Sequence, residues 1–134
     1  MADPKKVLIA DDEADVRAFV EAVLEVDGYQ FVTAADGEAA LKAARAEAPD
    51  LVVLDVQMPK KDGFQVFSEL RRGGETRSIP VIMLTGVGER LGIGFGSREM
   101  GEYLGSEPEG YIEKPIDPDL LRSTVSKVLG GASA

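Results

Sequence analysis

Five short apolar runs, spread along 134 residues with amphipathic stretches between them, limit what this chain can fold into. They occupy residues 7–10, 31–35, 51–54, 80–84 and 111–113. Each is far too short to cross a bilayer. Unbroken apolar runs of this length suit strands that are covered on both faces. The stretches between them repeat apolar residues at helical spacing. In the first, Val16, Phe19, Val20, Val23 and Leu24 make one face, opposite Arg17, Glu21 and Glu25, and Gly28 is the expected stop. The second opens on Asp36 as helix cap, carries Ala40, Leu41, Ala44 and Ala48 as its inner stripe, and ends at Pro49. The third carries Phe64, Phe67 and Leu70 and closes at Gly73 and Gly74. The last pairs an Asp117 cap with Pro118 at the first helical position and presents Leu120, Leu121, Val125, Val128 and Leu129. Strand and helix in alternation predict an α/β fold: a (βα)₅ doubly wound five-stranded parallel sheet of flavodoxin-like topology. One domain over residues 1–134, with its core at 5–129, is expected.

Residues 86–110 break the pattern. Glycines at 86, 88, 92, 94, 96, 101, 105 and 110 each cost a helix about 1 kcal/mol relative to alanine. A mobile glycine-rich loop is expected where the fourth helix should begin, followed by a short helix near residues 97–104.

Composition narrows the chemistry. A net charge of −9 argues against direct binding to nucleic acid or to an anionic membrane. Lys60, Lys61, Arg71 and Arg72 are the densest basic group and read as a solvated surface. With no cysteine and no histidine, thiol nucleophiles, thiolate metal sites and the usual zinc ligand are excluded. Any bound metal must be held by oxygen, which points to Mg²⁺ or a similar hard ion. The N-terminus lacks a signal peptide pattern, and a cytoplasmic location is expected.

The informative residues stand where the strands end. Asp11 and Asp12 follow the first run, Asp55 the third, Thr85 the fourth, and Lys114 the fifth. In an open parallel sheet, the carboxyl ends of the strands line the crevice in which ligands bind. Singly, each residue has an ordinary structural reading: a helix cap, a turn residue, a strand-end hydroxyl, a surface charge. Together they place several carboxylates at one spot, where each pair repels by about 4 kcal/mol at 4 Å and an effective dielectric near 20. A divalent cation relieves that repulsion. The set therefore reads as a hard-metal and phosphoryl site in which Asp55 is the candidate nucleophile.

The motifs ADDE, LDVQMPKKDG, IMLTG and YIEKP, in that order, resemble the receiver domain of bacterial two-component response regulators. The likeness runs from about Lys5 to Leu129. It implies that Asp55 is the phosphoacceptor, that Asp11 and Asp12 hold Mg²⁺ with Asp55 and the backbone carbonyl of Gln57, and that Lys114 binds phosphate. It implies that Thr85 is the switch hydroxyl and Tyr111 the switch aromatic, and that the peptide before Pro115 is cis. Phosphorylation would draw Thr85 toward the phosphoryl group, turn Tyr111 inward and change the surface of the fourth helix, fifth strand and fifth helix. The phosphodonor would be a histidine kinase or histidine phosphotransfer protein, and the target an unknown downstream protein. Catalysis would be limited to taking and losing its own phosphoryl group. Two features depart from the family. Thr85 and Lys114 stand 29 residues apart, several more than is usual, and Gly86 replaces the common alanine. The extra stretch is expected to order on activation; it is either a lineage-specific loop or a partner or homodimer contact. Val87 cannot position a water, which implies a long-lived phosphoryl state.

Other readings remain. A pseudo-receiver would keep the fold and bind partners unphosphorylated. A phosphatase of the aspartyl-nucleophile type needs a second carboxylate two residues after Asp55, where this chain has Gln57. A flavin carrier would show its absorbance. The chain ends about five residues past the last helix, so a stand-alone receiver, or one excised from a longer regulator, is expected.

Overall fold

The computed structural model describes residues 4–58, 60–86 and 108–130. Five strands, β1 (Lys6–Ala10), β2 (Gln30–Ala34), β3 (Leu51–Asp55), β4 (Val81–Thr85) and β5 (Gly110–Glu113), form one parallel sheet in the order β2-β1-β3-β4-β5. Four helices are described: α1 (Ala14–Glu25), α2 (Gly37–Glu47), α3 (Gly63–Arg72) and the C-terminal α4 (Pro118–Leu129). The chain steps from β1 out to β2, then returns past β1 to β3. The order therefore reverses between β1 and β3, which is where a crevice opens in sheets of this kind.

Every residue of β3 and β4 is buried, as is all of β1 beyond Lys6. This is why those strands are unbroken apolar runs. Successive side chains point to opposite faces. Leu8, Val52, Leu54 and Met83 meet α2 and α3 through Ala40, Leu41, Ala44, Val66, Phe67 and Leu70. On the other face Val7, Ile9, Val53, Leu84 and Ile112 meet α1 and α4 through Val20, Leu24, Leu121 and Val125. Each fully buried Val, Leu, Ile or Phe contributes about 1.5–3 kcal/mol of transfer free energy. The small side chains of α2 let it lie close to the sheet.

The caps follow the expected residues. Asp36 accepts from Ala39 N at 2.8 Å, and Asp117 accepts from Asp119 N at 2.9 Å. Three helical faces differ from expectation. Phe19 and Leu120 are 40% and 48% exposed, on two helices that pack against each other and bury Leu24 and Leu121 instead. Ala48 does not extend the α2 stripe; it is exposed in the left-handed conformation (φ 46°, ψ 58°) and ends the helix itself. Strand bounds shift by one residue: β2 starts at Gln30, and β4 starts at Val81, since Pro80 has no N–H to donate. Three of the basic group are paired with carboxylates, Lys60 with Asp36, Lys61 with Glu69 and Arg71 with Glu109, and Arg72 donates to the Ser68 carbonyl. The short helix expected near 97–104, Val87 and most of the glycine-rich stretch lie outside the described residues. No described helix is long and apolar enough to cross a membrane.

Candidate functional site

The strand ends are tied together by the sheet's own ladder. Asp11 N donates to Ala34 O at 3.1 Å, Val56 N to Leu84 O at 3.0 Å, and Lys114 N to Thr85 O at 2.7 Å. These bonds carry the ladder one residue past β1, β3 and β5. They hold the backbones of Asp11, Asp55 and Lys114 level at the carboxyl edge. The peptide joining Lys114 to Pro115 is cis.

The side chains converge on the Lys114 ammonium. Its Nζ lies 3.1 Å from Asp11 Oδ2 and 3.1 Å from Asp55 Oδ1, and 3.8 Å from Glu13 Oε1. Asp11 and Asp55 are 0% and 2% exposed. Burial, the largest single influence on Lys114, disfavours its charge. The attraction of Asp55 and Asp11, together with their hydrogen bonds, outweighs it and raises the ammonium's pKa above its usual value. Asp12 stands exposed at the rim, and one oxygen from each of Asp11, Asp12 and Asp55 lies within 4.8 Å of the others. Three clustered carboxylates beside one ammonium leave an excess of negative charge that a divalent cation would match. All the donors are hard oxygens, as Mg²⁺ requires.

Thr85, at the end of β4, is buried, and its hydroxyl has no hydrogen-bond partner among the described residues. An unpaired buried hydroxyl costs about 1–3 kcal/mol, which a bound anion would recover. Tyr111 lies opposite Met83 in the β4–β5 register and packs half-buried against the core on the α2–α3 face. Gln57 is exposed in the loop that leaves β3. The structure thus brings together Asp11, Asp12, Asp55 and Lys114, with Thr85 tied to Lys114 through the backbone.

Three contributors escaped the sequence reading. Glu13 reaches Lys114; its only signal was its place after the acidic pair in ADDE. Arg17, read as outward-facing, donates from Nη1 to the Asp11 carbonyl at 2.6 Å. Gly63, the last residue of the motif LDVQMPKKDG, has a steric role. A Cβ there would strike the Asp55 carbonyl and come within 2.7 Å of Val56 Cα, so only glycine lets α3 start this close to the site.

The chain has known relatives. The response regulator receiver domain family matches residues 7–126. The chain is 43% identical over 125 residues to a probable transcriptional regulator, ycf27, of Cyanophora paradoxa, covering 93% of this chain and 48% of that protein. It is 38% identical over 125 residues to the alkaline phosphatase synthesis transcriptional regulatory protein PhoP of Bacillus subtilis, covering 93% and 48% respectively. The chain spans about half the length of these curated relatives. Among solved structures, the chemotaxis response regulator CheY4 of Vibrio cholerae superposes with a TM-score of 0.80 at 31% identity, over 95% of this chain and 100% of that one. A putative response regulator from Chloroflexus aurantiacus gives 0.82 at 31% identity, over 95% and 98%. With the family matched over nearly the whole chain, this protein belongs to the response regulator receiver domains.

Proposed function

We propose that this chain, residues 1–134, works as one phosphorylation-dependent signalling switch whose phosphoacceptor is Asp55. The observation that carries this reading is the Lys114 ammonium held 3.1 Å from both buried carboxylates, Asp11 and Asp55. An Asp55 carboxylate oxygen attacks phosphorus, the bond to the donor's leaving group breaks, and the electron pair departs with that group. Lys114 then exchanges part of its ion pair with Asp55 for a phosphoryl oxygen. The Thr85 hydroxyl, which has no partner among the described residues, donates to another. Tyr111, half-buried on the neighbouring strand, follows into the space that Thr85 leaves. Asp11, Asp12, Asp55 and the Gln57 backbone carbonyl would hold Mg²⁺, which supplies charge neutralisation for the carboxylates and the phosphoryl oxygens.

A histidine kinase or histidine phosphotransfer protein is the fitting donor, since the chain has no histidine of its own. The product stays on the protein, so the chain is a switch rather than a turnover enzyme. A net charge of −9 favours a protein target over nucleic acid and suits a cytoplasmic setting. The target would read the surface around β5 and α4. Incubation with acetyl phosphate and magnesium, followed by intact mass measurement, tests the reading. One added phosphoryl group on the wild type and none on Asp55→Asn is expected. An adduct that survives in Asp55→Asn, or none on the wild type, overturns it.

A further inference from the structure

From the contacts of Glu13 we infer that this residue sets phosphodonor preference at Asp55, disfavouring small anionic donors by charge. The inference rests on Asp55 being the phosphoacceptor. Glu13 holds the N-cap position of α1, yet its side chain makes no cap hydrogen bond. Its backbone is pinned instead. Its N–H donates to Asp11 Oδ1 at 2.9 Å, and its carbonyl accepts from Val16 and Arg17 N–H at 3.1 Å each. The side chain is thus rooted firmly but left free to face the site, where Oε1 stands 3.8 Å from Lys114 Nζ with 64% of the side chain exposed.

Lys114 does not need this third carboxylate. It already lies 3.1 Å from both Asp11 and Asp55, which are buried. Asp12 adds a further carboxylate beside Asp11 and Asp55, and Arg17 is engaged with the Asp11 carbonyl. Asp15 lines the neighbouring groove beside Lys114 and adds a further negative charge. Glu13 is the outermost member of the set within reach of Lys114. A donor that comes over the ammonium toward Asp55 meets its charge.

Donors differ in what they bring. Acetyl phosphate arrives as a dianion: the Asp55 oxygen forms a P–O bond, the P–O bond to acetate breaks, and acetate leaves with the electron pair. Phosphoramidate arrives with a single net charge: its P–N bond breaks and neutral ammonia leaves with the pair. Two unit charges about 8 Å apart in a water-like dielectric alter a rate about two-fold, hence about four- to five-fold for a dianion.

The test measures phosphorylation rates of wild type, Glu13→Gln and Glu13→Asp with acetyl phosphate and with phosphoramidate, at saturating magnesium. Each rate is taken at low ionic strength and at about 1 M salt, where the screening length falls to ~3 Å. The readout is the acetyl phosphate to phosphoramidate ratio within one preparation, so any loss of folded protein cancels. Glu13→Gln is expected to raise that ratio about two-fold at low salt, with both rates rising. Glu13→Asp should stay near wild type, and high salt should erase the difference. A ratio unchanged in Glu13→Gln, or a change that persists in high salt, overturns the role of Glu13 alone. A wild type that neither donor phosphorylates overturns the functional reading beneath it.

Discussion

The two ends of the sheet treat buried polar groups in opposite ways, and a pair of threonines shows it. At the amino end Thr76, 2% exposed, donates its hydroxyl to Leu70 O at 2.8 Å. At the carboxyl end Thr85, 5% exposed, has no hydrogen-bond partner for its hydroxyl among the described residues. The pattern extends to charges. At the amino end Glu109 accepts from Val81 N at 2.7 Å and grips Arg71 Nη2 with both oxygens, at 2.8 and 2.9 Å. Arg71 also donates to Ile79 O and lies over the Phe67 ring. Lys6 N is bound by Asp50 at 2.8 Å. At the carboxyl end three carboxylates share one ammonium. Buried polar groups in folded proteins are nearly always paired, so an end that is incompletely paired is an end prepared for a ligand. The amino end secures the fold; the carboxyl end keeps its stabilisation in reserve for binding.

The sharpest way to break this contrast is Lys114→Met. Removing the shared cation leaves Asp11 and Asp55 facing each other without compensation. In metal-free buffer, denaturant unfolding should show a loss of about 2–3 kcal/mol, and millimolar magnesium should restore part of it. A variant as stable as wild type without magnesium would mean the ammonium does not balance the carboxylates.

The same chemical change at the two threonines gives the next largest effect. Thr76→Val should cost about 1 kcal/mol by removing a satisfied hydrogen bond from a buried carbonyl. Thr85→Val should be neutral or stabilising by about 1 kcal/mol, because a costly unpaired hydroxyl disappears. Losses of equal size and sign in the two melts would erase the distinction between the ends.

The smallest effect belongs to an exposed pair. Arg122 contacts Asp27 at 3.1 Å. Its hydrogen bond and its charge hold the Asp27 carboxyl below the ordinary carboxylate value, against the opposing effect of burial. The folded-state pKa is depressed, so this stability is present above the unfolded value and is lost as pH falls through the folded one. Asp27→Asn should shift the melting midpoint least of these variants at neutral pH. The shift should vanish in acid and shrink with salt. A shift that grows in acid would reverse the sign of the argument.

Much of this contrast was legible in the residues before the fold was known. The buried strands announced themselves because a strand covered on both faces admits no polar residue, so Asp11, Asp55 and Thr85 stood out as the points where cover ends. The caps at Asp36 and Asp117 were legible because capping is local. What escaped depends on neighbours distant in sequence or on the tilt of packed helices. Arg71 and Glu109 are 38 residues apart and meet only once β4 and β5 are paired. Phe19 and Leu120 satisfy helical periodicity, but the packing of α1 and α4 decides which apolar residue stays outside. Gly63 gave no signal of its steric role, because the Asp55 carbonyl that excludes a side chain there belongs to another element. Glu13 followed an acidic pair and read as more of the same, although its target, Lys114, lies about a hundred positions on.

Isothermal titration with magnesium chloride tests the central claim most directly, since an incomplete carboxyl end must take up a divalent cation. Wild-type protein should bind one equivalent at millimolar concentration, and Asp12→Asn and Asp55→Asn should each weaken that binding by ten-fold or more, as expected when one charged ligand of about three is lost. Absence of binding by the wild type, or equal binding by all three proteins, would contradict it.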